Sequence, residues 1–399
     1  MSKLKELTDK IGSGATPRGG EQAYKKDGIS LIRSQNILDF GFNYKNLAKI
    51  DDKQAKELNN VEVKENDILI NITGDSIARV CIVPNDVLPA RVNQHVSIVR
   101  CNNKIDSNFL LCYLFFLKNY LLTICRVGGT RNALTKEALE KLEIVHNDNV
   151  DIQKKLVAVI DVILKKININ NKINEELEKL AKTLYDYWFV QFDFPDENNR
   201  PYKSSGGKMI YNKELKREIP IIFERKELQD FCNIFTGKKD VKMTVENGKY
   251  PFFSCAPDPL KSDDYIFDGN AILVAGNGSY TGRVSYYKGK FDLYQRTYAC
   301  TLKNTDKDII PFLYYFMKFF FEPQYKGGTH GSAIPYIVLG DLANLGIPYN
   351  SVITNKFNNV VKPILKSYFK NSEENKRLIK IRDFLLPMLM NGQISITAE

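Results

Sequence analysis

Halfway along this chain of 399 residues the pattern of the first half begins again. VGGTRN around Thr130 is answered by KGGTHG around Thr329, and NDILINITGDSIARV by NAILVAGNGSYTGRV, pairing Ile68-Leu69 with Ile272-Leu273. Gln94 in VNQH matches Gln295 in YQRT, and the KEL of Lys5–Leu7 recurs at Lys226–Leu228. Each half then closes on a long helical pattern. A period of about 200 residues is far beyond the roughly 20–50 residues of a solenoid repeat. It predicts two copies of one domain, each followed by a helical arm, so whatever one half does the chain does twice.

The net charge of +10 and pI near 9 favour a polyanionic partner, nucleic acid ahead of membrane. Seven cysteines form no CxxC pair and have no His at metal-ligand spacing, which predicts free thiols in a reducing cytoplasm and no zinc site. MSKLKELTDK lacks the apolar core of a signal peptide, so the expected location is cytoplasmic. The most apolar runs, Phe109–Cys125 and Ile309–Phe321, are interrupted by Lys118 and Lys318. Both fall short of the roughly 20 residues of a membrane span, and they occupy equivalent places in the two halves. They read as core helices.

Short β-branched segments bounded by Gly, Asn, Asp or Pro predict strands at Ile29–Arg33, Asp67–Ile72, Ala78–Val83 and His95–Arg100. Thr135 is placed to cap a further helix. The second copy repeats the order with strands at Ala271–Val274, Gly282–Tyr287 and Tyr298–Leu302. The fold class is α/β of the mixed (α+β) kind: two similar domains separated by a pair of long antiparallel coiled-coil helices, with pseudo-twofold symmetry. The expected boundaries are a first domain at 1–147, a central helical arm at 148–192, a Pro/Gly/Ser/Asn-rich linker at 193–220, a second domain at 221–350 and a closing arm at 351–399.

In the central arm Ile152, Leu156, Val159, Ile163, Ile173, Leu177, Leu180, Leu184 and Tyr187 follow the alternating spacing of a coiled-coil seam, with Lys166 and Asn170 at its polar positions. In the closing arm the seam reads Phe357, Val361, Ile364, Tyr368, Asn371, Asn375, Leu378 and Leu385. Pro363 is either a first-turn proline or a kink. Two apolar arms should pack on each other, and an antiparallel pair would set the domains at opposite ends. A helix of about 35 residues is roughly 50 Å long, on the order of 15 base pairs at about 3.4 Å each. The outer arm surfaces are left for partner subunits.

No enzyme constellation stands out. The glycine-rich Gly276–Gly282 lacks the lysine of a phosphate loop, and Ala256–Leu260 is not the Asn/Asp-Pro-Pro-Tyr/Phe loop of a methyltransferase. The three histidines are isolated from any plausible nucleophile, and no carboxylate spacing suggests a nuclease metal site. The chemistry reads as binding.

The binding candidates are polar loops that recur. In the first half they are Arg18 in GSGATPRGG, Arg33, Gln35 and Asn36 in RSQN, Thr73 and Ser76 in NITGDS with Arg79 beyond, Arg91, Asn93 and Gln94 in RVNQ, and Thr130, Arg131 and Asn132 in GGTRN. In the second half the frame persists with other residues: Lys238 and Lys239, then Asn277, Ser279, Tyr280 and Arg283, then Gln295 and Arg296, then Thr329 and His330. Glycines let backbone approach phosphate, while Arg, Gln and Asn read guanine and adenine edges in bidentate fashion. A shared frame with divergent polar tips suits two domains reading two different short DNA sequences.

On these features the chain resembles the specificity (S) subunit of type I restriction-modification systems over nearly its whole length. LAKTLYDYWFVQFDFP (Leu180–Pro195), RPYKSSGGKM (Arg200–Met209), FTGKKDV (Phe235–Val241), YPFFSC (Tyr250–Cys255), AGNGSYTG (Ala275–Gly282) and LLPMLMNGQI (Leu385–Ile394) carry the likeness. Met388 and Met390 depart from the Lys- and Leu-rich tail of that family. The resemblance implies two target-recognition domains that read a bipartite, asymmetric site in double-stranded DNA. It implies a non-catalytic subunit docking two adenine methyltransferase subunits, and through them restriction subunits. No cofactor is expected on this chain, S-adenosylmethionine belonging to the methyltransferases. Two alternatives stay open: a specificity subunit with fused or type II-like modification or cleavage activity, and a coiled-coil adaptor that binds proteins only.

Overall fold

The computed structural model describes residues 1–126, 133–304, 308–326 and 335–394. The chain divides into two compact units, Met1–Asn170 with Glu374–Glu399, and Asn171–Glu373.

In the first unit the central sheet has the antiparallel order Thr8–Ser13, Val96–Cys101, Ile68–Asn71, Val80–Ile82. Every residue of Ile68–Asn71 is buried, as expected of a strand covered on both faces. Ile68 and Ile70 face a helical layer that includes Phe109, Leu110 and Leu114. Leu69, with Ile98, faces a second sheet built from Ala48–Ile50, Ile29–Ile32, Ala90–Val92 and Glu62–Val63. The run expected as one helix over Phe109–Cys125 is two, Ser107–Phe116 and Lys118–Arg126, bent by 59°. The first buries every residue from Phe109 to Leu114, whereas Lys118 just past the bend pairs with Asp39, which a straight continuation into the apolar layer would forbid. Thr135 caps its helix as expected, its Oγ1 accepting from the Ala138 amide at 3.1 Å. Among the described residues no single helix is long and apolar enough to cross a membrane.

The second unit repeats the frame. Cys232–Thr236, Thr297–Leu302, Phe267–Ala275 and Val284–Leu293 stand in the same antiparallel order, extended by Tyr250–Phe253, parallel to its neighbour, and Leu260–Ser262. Each unit also has a small pair of strands, Ser2–Lys3 with Glu143–Ile144 and Glu224–Glu227 with Gly346–Tyr349. The stretch 193–220, expected as a linker, carries an antiparallel hairpin, Met209–Asn212 with Arg217–Pro220. Phe194 and Ile219 enter the core beside Phe189, Phe223 and Phe312, so burial of a few apolar residues orders a segment whose composition signals only turns.

Two long helices, Val150–Tyr185 and Ser351–Met390, each contribute to both units and pair antiparallel within each. In the first unit Val157 and Ile160 share a core with Leu386 and Leu389, while Asn170 donates to Asn375 Oδ1 at 2.9 Å. In the second, Asn174 donates to the Tyr368 carbonyl at 3.2 Å and Trp188 meets Phe357 at 5.7 Å. Pro363 lies well inside the second helix and is not a first-turn proline.

The seam of the first helix differs from the expected register. Ile163 and Asn170 are buried as expected, but so are Gln153, Val157, Ile160, Asn174, Ala181 and Tyr185 off the expected seam, whereas Ile152, Val159, Ile173 and Leu180, placed on it by periodicity, are exposed at 42–48%. The helix carries two apolar stripes at heptad spacing, and periodicity alone does not say which one meets the paired helix. In the second helix Phe357, Val361 and Asn375 are buried as expected; toward its end the burial moves to Leu386 and Leu389.

Candidate nucleic-acid interface

The sheet of each unit delivers its polar loops to one place. In the first unit the Ala15 amide donates to the Val92 carbonyl at 3.0 Å, Asn93 to Ile32 at 3.0 Å, Ile72 to His95 at 3.0 Å and Leu134 to Ile72 at 2.8 Å. The Asn71 side chain reaches the Ser34 carbonyl at 2.9 Å. These bonds tie together the loops of Arg18, of RSQN, of NITGDS and of RVNQ. In the second unit Gly237 donates to Tyr294 at 3.2 Å, Gln295 to Lys239 at 3.0 Å, Gly276 to Arg296 at 3.0 Å and Ile337 to Gly276 at 2.8 Å.

The central loop is the same in both units, bond for bond. Asn71 donates to the Arg79 carbonyl (2.9 Å) as Ala275 does to Arg283 (3.0 Å), and Ala78 donates to Asn71 (2.8 Å) as Gly282 does to Ala275 (2.9 Å). Ile77 to Gly74 (3.2 Å) matches Thr281 to Gly278 (3.0 Å), and Arg79 to Ser76 (3.1 Å) matches Arg283 to Tyr280 (3.0 Å). Both loops turn through a left-handed glycine, Gly74 at φ 77° and Gly278 at φ 81°.

Within this frame the candidate residues separate by role. Arg91 is buried, with Nε on the Ala55 carbonyl (3.1 Å) and the guanidinium on Asn59, Ala90 and Glu62, so it holds the second sheet and is not presented to a ligand. Asn36 is fully buried, accepting from the Arg33 amide and donating to the Asn43 carbonyl; Asn93 is buried and accepts from the His95 amide. Arg33 lies over the Tyr24 ring and donates to the Asn46 carbonyl at 2.8 Å. Ser76 accepts from Asn71, and Thr73 bonds His95 Nδ1 at 2.6 Å.

In the second unit Lys239 is held by Asp292 at 2.7 Å, with Asp264 and Ser262 beside it; the bond to Asp292 raises its pKa. Arg283 donates to the Ala256 carbonyl at 2.6 Å, and burial lowers its pKa. Asn277 accepts from the Cys255 thiol at 3.2 Å. Polar residues next to a glycine-rich turn serve the turn itself as readily as a ligand, which is why the sequence alone assigned these to binding.

Arg18, Gln35, Gln94, Lys238, Ser279, Tyr280, Gln295 and Arg296 remain exposed at the loop tips. Gln94 bonds Thr16, and Gln295 reaches Asp240 at 3.3 Å. Arg79 is half-buried with no side-chain partner among the described residues. Thr130, Arg131, Asn132, Thr329 and His330 lie outside the described residues. Three positions absent from the sequence-based set also reach the clusters: Asp75 in the first, Lys326 beside Gly282 and Tyr336 opposite Asn277 in the second. Tyr336 takes the place of Ala133, which pairs with Thr73 in the first copy; the sequence alignment of the GGT motifs sets Ala133 against Ser332, so no sequence signal pointed to it.

Ser2, His146 and Asp148 have the residue types of a nucleophile relay, with His146 Nε2 at 3.1 Å from Ser2 Oγ. The other ring nitrogen faces the Asn147 carbonyl at 3.2 Å and stands 3.9 Å from the exposed Asp148, so no carboxylate orients the ring as a triad requires. No group of three or more His, Cys, Asp or Glu among the described residues is placed to hold a metal ion.

A duplicated mixed-sheet unit, with polar loops gathered at one site per copy and a long helix closing each copy, is the architecture of a duplicated binding protein. The chain belongs to the type I restriction modification DNA specificity domain family, which matches residues 1–179 and 220–380, and is a type I specificity subunit. It is 25% identical to the specificity subunit of the type I restriction enzyme MjaIX from Methanocaldococcus jannaschii over 99% of this chain and 93% of that one. The specificity subunit of the type I enzyme EcoDI from Escherichia coli is 30% identical over 45% of this chain and 40% of its own length. The crystal structure of the type I restriction-modification S subunit from M. genitalium shares the fold, with a TM-score of 0.57 at 16% identity over 97% of this chain and 95% of that one.

Proposed function

We propose that this chain reads an interrupted, asymmetric target in double-stranded DNA, one half-site per loop cluster, while the paired helices fix the gap. The observation that carries this reading is the central loop, identical in backbone bonding between the units and different in its exposed tips. Conserved backbone positions the tips against the duplex; divergent side chains specify different bases. Arg18, Lys238 and Arg296, exposed at the tips, supply the phosphate attraction that the net charge of +10 anticipates.

The outer stripe of the first long helix supports a second part of the proposal. Ile152, Val159 and Val162 in the first unit, and Ile173 and Leu180 in the second, form exposed apolar ridges that want a covering partner. We assign them to helices of two methyltransferase subunits, which bring S-adenosylmethionine and the adenine-methylating chemistry, with restriction subunits joining through them. This chain itself is then non-catalytic. Footprinting of the assembled methyltransferase on random duplexes should reveal one two-part motif with a constant gap; protection of a single continuous site would contradict the two-reader reading.

A further inference from the structure

Asp75 and Ser279 occupy the same place in the two central loops, each directly after the left-handed glycine that turns the chain. The matching backbone bonds on either side leave no freedom in this alignment. Both residues are exposed, and no described residue pairs with the Asp75 carboxylate. Among the described residues the first unit thus carries a negative charge with no counter-charge at the tip of a loop that, on the function proposed above, approaches a polyanion.

Within a Debye length of about 8 Å that charge is repelled by phosphate. The repulsion is offset only where the duplex offers a hydrogen-bond donor. In the major groove the bases offer two, cytosine N4 and adenine N6. A carboxylate accepts and does not donate, so against guanine O6 and N7 or thymine O4 it would set lone pairs against lone pairs. The serine hydroxyl in the second unit donates as well as accepts and makes no such distinction.

We propose that Asp75 is a specificity-determining residue, its carboxylate accepting from an exocyclic amino group, cytosine N4 or adenine N6, at one position of the half-site read by the first unit. It rejects guanine and thymine there as much as it selects for the amine. The inference rests on the DNA-reading function and names one element of it.

The test is selection of randomised duplexes on the full-length chain assembled with its methyltransferase, comparing wild type, Asp75→Ser and Ser279→Asp. In the wild type one position of the first half-site should be fixed to a single base pair in a single orientation, and its cytosine or adenine identifies which amine is read. Asp75→Ser should relax the preference at that position by about tenfold or more, with the other half-site unchanged as the internal control of folding. Ser279→Asp should create a cytosine or adenine preference at one position of the second half-site. A wild-type first half-site retained by Asp75→Ser overturns the inference, as does loss of both half-sites together, which a single-base reader does not cause. A wild type that selects no motif overturns the function on which the inference rests, and so is distinguishable from failure of Asp75 alone.

Discussion

The loop clusters of the two units share their central turn but are stiffened by different devices. In the first, the buried Arg91 guanidinium ties its strand of the second sheet to the helical segments at Ala55 and Asn59 and to Glu62 on the neighbouring strand. In the second, that sheet is replaced by a two-strand extension, and the half-exposed Lys239 ties the loop to Asp292. The backbone frame therefore survives a change in its supports. Loop tips that bear no part of the frame are free to diverge, which is what two readers of unlike half-sites need.

Removing the supports should separate the units most strongly. Lys239→Ala leaves the buried Asp292 carboxylate without its cation and should cost the second unit about 3 kcal/mol, read by denaturant unfolding. Arg91→Ala removes a buried guanidinium whose side-chain partners Asn59 and Glu62 reach solvent, and should cost the first unit about 1–2 kcal/mol; equal losses would show that the two frames are supported alike. Close backbone approach is common to both. A Cβ at Gly14 would stand 2.0 Å from the Val92 carbonyl oxygen, and one at Gly237 1.6 Å from that of Leu293. Alanine at either should cost about 1–3 kcal/mol and weaken only the half-site of its own unit.

The helices allow a subtler separation. Asn170→Leu breaks the bonds to Asn375 and Glu374 in the first unit and should cost about 1 kcal/mol. The Asn170→Leu/Asn375→Leu pair should recover much of that, at the expense of the register that a polar seam residue fixes. Smallest is a chemical difference at the second cluster. Burial pushes the thiols of Cys81 and Cys232 up to about 12 and Cys101 to about 11, leaving little thiolate at pH 8. Cys255 is half-buried among the loops and should take iodoacetamide first, with bound duplex slowing it. Labelling unaffected by duplex would place DNA away from that cluster.

The duplication, the seven expected strands and the loop cluster were legible because β-branched runs bounded by turn residues, and glycines at fixed offsets, are local signals, whereas Thr8–Ser13, Ala90–Val92, Cys232–Thr236 and Tyr250–Phe253 escaped. The site residues were legible as loops but not as individual side chains. Arg91 and Arg296 look alike in sequence, yet one lies in the closed second sheet and the other at an exposed tip, and only tertiary packing distinguishes them. The helical seam was misplaced for a related reason. Ile152 and Val157 lie on two apolar stripes of one helix, and only the partner residues, such as Leu386, decide which stripe is covered. The hairpin at 209–220 escaped because its anchors, Phe194 and Ile219, are isolated among turn formers.

The central claim is that the two units read independently. Exchanging residues 1–147 for the matching region of a related specificity subunit, followed by sequencing of methylated sites in a host carrying the assembled system, tests it directly. The account predicts a motif in which one half-site changes while the other half-site and the gap stay as they were. A change in both halves, or in neither, would contradict it.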